Sequence, residues 1–132
     1  MKSIHWSTAV ASALFLTTSS GLLAASETDM SKQYTSSKAN GANPDMIDCI
    51  MAEAKQQDAR LNENYKRLMS KLSEERKKTL LEAQRAWIRF RDANCAFWDE
   101  PAGGQSAAIT AKECFLTMTA DRASELELAD DQ

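Results

Sequence analysis

The chain has 132 residues, a formal net charge of −3, three cysteines and a single histidine. That length suits one small domain. The acidic balance argues against nucleic-acid binding, which calls for a basic face. With His5 as its only histidine and no P-loop, G-x-G-x-x-G or G-x-S-x-G motif, the chain offers little to support enzyme chemistry.

Residues 1–26 read as a secretory signal. Lys2 supplies a positive start, Ala9 to Leu16 form a compact apolar run, and small residues at Ala24, Ala25 and Ser26 suit cleavage. The run is too short to span a bilayer, although an uncleaved anchor is the alternative. No cysteine lies near the cut, so a lipid-anchored product is not expected, and no membrane span follows in the mature chain. Cleavage after Ser26 leaves 106 residues, and the loss of Lys2 takes the net charge to −4. The destination is periplasmic or secreted, and a mildly acidic product suits a basic partner. No cofactor is expected.

Residues 27–43 are polar, small and without periodicity, and read as a flexible leader. The domain itself is expected over residues 44–129. Asn43, Pro44 and Asp45 resemble a helix start. From there to Leu72 apolar residues recur at helical spacing, among them Ile50, Ala54, Leu61, Tyr65 and Leu68. Ser73 is a good N-cap for a second helix, with Glu74 and Glu75 in its first turn. That helix runs to about Trp98, where Asp99 to Gly104 break it. A third helix is expected from about Ser106 to Leu128, with Ala108, Ala111, Phe115, Met118 and Leu126 on its apolar side. No run alternates with period two. The fold class is therefore all-α: a three-helix antiparallel bundle, or a long helical hairpin with a third helix against it, stapled by a disulfide.

Each helix places a polar residue among apolar ones. At about 100° per residue, Arg91 falls between Trp87, Trp98, Cys95 and Ile88, with Gln84 beside it. Asp58 falls with Leu61 and Tyr65, and Arg122 with Met118 and Leu126. Folding the chain at Ser73 and again near Ala102 brings Asp58, Arg91 and Arg122 to similar heights. A buried arginine needs a partner, so the expectation is a polar core layer. Asp58 answers Arg91, Arg122 or both, and Asn62 meets Gln84 one turn nearer the hairpin. Such a layer fixes helix register rather than catalysing anything.

Exported cysteines meet an oxidising compartment, and three allow at most one internal bridge. Without histidine or a C-x-x-C they do not form a metal site. Cys49, Cys95 and Cys114 all fall near one end of the helices. Cys95–Cys114, which closes the Pro-Gly connection, is favoured, with Cys49–Cys95 the alternative.

Asp58-x-x-Leu61-Asn62-x-x-Tyr65, then Ala83-Gln84-x-x-Trp87-Ile88-x-x-Arg91-Asp92-x-x-Cys95, then Cys114 followed by Thr119, Arg122 and Leu126, resemble the LprI-like lysozyme inhibitor N-terminal domain family. The resemblance covers about residues 45–128. It implies a small exported, helical, cysteine-bridged bacterial domain without enzymatic activity, and lysozyme or another basic exported protein as partner. Members often carry a further cysteine about a dozen residues before the position of Cys49. Its absence here leaves Cys49 unpaired.

Two functional readings follow. As an inhibitor, the chain needs a protruding element to block a carboxylate-lined cleft. The candidate is the segment Asp99 to Gln105, including Glu100, Gly103 and Gly104, with Phe97 and Trp98 as flanking anchors. The plainer expectation for that segment is a solvated loop with Trp98 in the core. As an envelope interaction module, the chain could use Leu81, Phe90 and Phe97 to bind another exported protein or itself.

Overall fold

The computed structural model describes residues 30–39 and 46–131. The expected signal lies outside the described residues. Within them are four helices and no strand: α1 (Lys32–Ala39), α2 (Met46–Lys71), α3 (Glu74–Phe97) and α4 (Gly104–Asp130), with a single 3₁₀ turn at Pro101–Gly103. The molecule is all-helical, as expected, but it has one helix more than the expected three. Residues 32–39, expected to belong to a flexible leader, form α1. Tyr34 explains the difference. It is buried against Ile50, Ala54 and Leu116, and Ser31 caps the helix by accepting from the Tyr34 backbone N–H. The Ser31 N–H in turn donates to the Glu53 carboxylate at 3.1 Å. A residue of α2 thus supplies the reciprocal carboxylate that a capping box usually finds inside its own helix.

Ser73 caps α3 in extended geometry and accepts from the Arg76 N–H, and Glu74 and Glu75 occupy the first turn. At the far end, Glu100 caps the 3₁₀ turn by accepting from the Ala102 N–H, and proline takes its first position. Gly104 has φ +58°, the left-handed region that favours glycine. A Cβ on Gly103 would come within 2.6 Å of the Ala107 Cβ. The glycine pair therefore makes a tight corner rather than a slack loop.

The helices run up, down and up. Asn64 meets Ala123 and Arg67 meets Asp130, so α2 and α4 are parallel. Cys95 meets Cys114 and Gln84 meets Arg122, so α3 is antiparallel to α4. The closest packing is between α2 and α4, while α3 leans on α4. Ala54, Ala120 and Ala123, all nearly inaccessible, let the α2 and α4 backbones approach. One apolar cluster sits below, with Ile50 and Leu116. A second sits above, with Leu61, Leu68, Ala123 and Leu126, and Trp87 packs on it. The buried side of α2 also carries Glu53, Gln57 and Asn64. Asn64 spends its amide on the Ala123 carbonyl at 2.8 Å. Gln57 donates to Glu53 at 2.8 Å. Arg67 and Lys71 converge on Asp130 at 2.6 and 2.9 Å, and their hydrogen bonds hold its carboxyl below the usual carboxylate range.

Candidate functional site

The residues of α3 that face α4 build a stacked guanidinium layer. Arg91 is buried between two rings, its guanidinium carbon 4.9 Å from the Trp87 centroid and 4.1 Å from that of Phe115. Its Nε donates to Asp92 at 2.9 Å, Nη2 approaches the same oxygen at 2.8 Å, and Nη1 donates to Thr119 at 3.4 Å. Arg122 lies 5.9 Å over Trp87, donates to Gln84 at 3.0 Å and pairs with Glu125 at 2.7 Å. Trp87 is therefore flanked by two cations, each satisfied by neutral and exposed acidic partners.

Two expected pairings, Asp58 with Arg91 or Arg122 and Asn62 with Gln84, are not formed. Asp58 is exposed, and its carboxylate accepts from Asn62 of its own helix at 3.0 Å. Asn62 is exposed too and does not meet Gln84, which pairs with Arg122 instead. No bond links Asp58 to Arg91 or Arg122 among the described residues. The physical reason is rotational. The buried face of α2 centres on Ile50, Gln57, Leu61, Asn64 and Leu68, and at 100° per residue Asp58 stands about 90° from that centre. Asp58, Asn62 and Tyr65 instead border an open groove of about 250 Å³, opposite Gln84, Ile88 and Arg91. The motif residues thus share one groove without an ion pair across it. Thr119 and Asp92, the actual partners of Arg91, were not among the expected core residues. The i,i+1 placement of Asp92 gave no signal, because neighbours along a helix do not normally face one another.

Cys95 and Cys114 form a disulfide with Cα atoms 5.5 Å apart. Cys49 is free and half-buried, its thiol 3.1 Å from the Ser37 hydroxyl. The bridge sits at the base of the corner between α3 and α4. Phe97 and Trp98 emerge just beyond it, 76 % and 47 % exposed, packed edge to face at 5.3 Å. Trp98 is thus at the surface and not in the core. Asp99, Glu100, Gly103 and Gly104 are all exposed beside this pair. Leu81 lines the groove toward α2, whereas Phe90 and Phe97 lie on another side of α3. The three do not form one patch.

Chemically, the layer is a pair of stacked cations whose donors are already spent on neighbouring side chains. Arginine does not serve as a base at ordinary pH. The other strongly placed titratable group is Tyr34, whose phenol burial and the nearby Glu113 and Glu53 carboxylates push up to about 12. That is far from a useful acid–base range. Among the described residues no cluster of histidine, cysteine or carboxylate side chains is placed to hold a metal ion, and no helix is long and apolar enough to cross a membrane.

The all-helical fold and the disulfide at its braced corner place the chain among small disulfide-bridged helical domains. Residues 23–126 match the family described as Lysozyme inhibitor LprI, and the chain belongs to that family. No curated protein and no solved structure matches it.

Proposed function

We propose that the protein is an exported, non-enzymatic inhibitor that engages a basic lysozyme through the corner running from Phe97 to Gly104. The observation that carries this reading is the exposed Phe97–Trp98 pair, set next to Asp99 and Glu100 and anchored by Cys95–Cys114. Exposed aromatics on a rigid support are the usual energetic anchors of an interface, and adjacent carboxylates steer a cationic partner. The Gly103–Gly104 turn keeps that support short. In this reading residues 1–26 direct export to the periplasm or beyond, and the working domain takes in α1 as well as residues 44–129. Gln84, Arg91 and Arg122 orient α3 and do not touch the partner.

The test is a titration of lysozyme activity on a cell-wall substrate with the oxidised protein. Inhibition is expected at micromolar protein or below. Trp98→Ala should weaken it about tenfold or more, the loss typical of an interface anchor, without changing the fold. Absence of inhibition against several lysozyme types, or full potency in Trp98→Ala, overturns the proposal.

A further inference from the structure

Helix α3 has few buried positions of its own: Gln84, Arg91 and Cys95. Along one exposed flank, Thr79, Ala83, Ala86, Phe90, Ala93 and Phe97 follow one another at spacings of four and three residues, with Thr79 and Ala83 at the rim of a groove shared with Leu68 and Leu126. All six are exposed, with Phe90 at 61 %. A regular 4–3 alternation is the spacing of a helix that pairs with another helix along its length. Ala83 and Ala86 are consecutive in the row, and such small side chains let two backbones come close.

The charges beside this row identify the occupant. Glu82 and Arg89 lie one heptad apart on the same edge, each just before a row residue. Both are exposed, and neither enters an ion pair or side-chain hydrogen bond among the described residues. In an antiparallel pair with Ala83 of one copy against Ala86 of the other, Glu82 reaches Arg89 of the opposite copy. Two-fold symmetry then makes that contact twice. In a parallel pair the same edge would meet Leu80, Trp87 and Asn94, and neither charge would find a partner. A row that complements itself only head to tail is what an isologous dimer requires. The geometry points to a homodimer formed by antiparallel pairing of α3 across Ala83 and Ala86, with Phe90 covering Thr79 of the other copy.

The pairing stands independently of lysozyme inhibition, and the two are separable because Trp98 lies off the row and Phe90 lies away from the corner. The experiment is sedimentation equilibrium of the oxidised exported chain, carrying Cys49→Ser to prevent intermolecular bridging, from about 1 μM to 1 mM. A mass rising from one chain to two is expected. Phe90→Glu should remain a single chain throughout with an unchanged circular dichroism spectrum, since Phe90 supports no core contact. Glu82→Arg and Arg89→Glu should each weaken association about tenfold, since each places like charges at two symmetric contacts. The double exchange should restore it. A single-chain mass up to 1 mM overturns the proposal. So does a dimer indifferent to Phe90→Glu, or a double exchange no better than either single one.

Discussion

Replacing Asp58 by Asn and, separately, Arg91 by Met decides which partner holds the buried guanidinium. If Asp58 were the counter-ion of a buried Arg91, Asp58→Asn would strand a desolvated cation and cost about 3–5 kcal/mol. The Asp58 carboxylate accepts one exposed bond from Asn62 across a single helical turn, a contact worth about 0.2–0.5 kcal/mol. Arg91→Met removes two cation–π contacts, each worth about 0.5–2 kcal/mol. It leaves no buried orphan: Asp92 is mostly exposed, and the Thr119 hydroxyl still donates to the Phe115 carbonyl. Met also fills most of the space between the rings. The expected loss is about 1–3 kcal/mol, well above that for Asp58→Asn. Urea unfolding followed by circular dichroism and Trp fluorescence reads both. For a domain of this size, 1 kcal/mol moves the thermal midpoint by roughly 4–8 °C. A loss above 2 kcal/mol for Asp58→Asn, or none for Arg91→Met, refutes the stacked-cation account of the layer.

Reduction of Cys95–Cys114, or Cys95→Ser with Cys114→Ser, should cost about 3 kcal/mol, the chain-entropy value for a loop of about 20 residues; urea midpoints of oxidised and reduced protein measure it, and unchanged midpoints would contradict the role given to the bridge. The Asp130 carboxyl is held below its ordinary range chiefly by Lys71 and Arg67, so its contribution is complete above the unfolded value near pH 3.9 and is lost as pH falls through the lower folded value. The difference in thermal midpoint between the wild type and Asp130→Asn should thus be constant from pH 5 to 7 and shrink below about pH 4, and a difference that persists unchanged at pH 2.5 would show that the ion pair is not its source.

The three long helices were legible because their ends carry strong local signals. Ser73 with two glutamates starts α3, and Glu100 with Pro101 and two glycines forces the corner. Counting 1.5 Å per residue put all three cysteines near one end and left every pair open; Cys95–Cys114 was favoured because it closes the short connection between two helices, and that pair is the one formed. Helix α1 was not legible. Its sequence KQYTSSKA has no apolar face, and it is ordered by Tyr34 and by a capping carboxylate 22 positions away. The rotation of α2 was misread for a related reason. Ranking positions by hydropathy averages two flanks, one with Ile50 and Leu61, the other with Met51 and Tyr65. The structure buries the first flank together with Glu53, Gln57 and Asn64, because Glu53 and Asn64 find distant partners at Ser31 and Ala123 and Gln57 bonds to Glu53. The fate of Trp98 was open for another reason: whether a terminal aromatic turns inward depends on where the neighbouring helix ends.

The way α3 is attached bears on both functional proposals. Alpha-helices held by large apolar interfaces can rotate by small steps at modest cost, because area is not directional. Helix α3 lacks such an interface. It is fixed by a covalent bond at Cys95, a guanidinium stacked between Trp87 and Phe115, and a bond from Arg122 to Gln84. Each of these has a required geometry. Together they occupy three levels along one side of the helix, at residues 84, 91 and 95, so they determine its rotation more than its adhesion. That rotation places the Ala–Phe row and the Phe97–Trp98 corner in solvent and turns Leu81 and Ile88 toward α2. In both proposals Gln84, Arg91 and Cys95 therefore act at a distance: they aim α3, and the side chains that α3 then presents make the contacts.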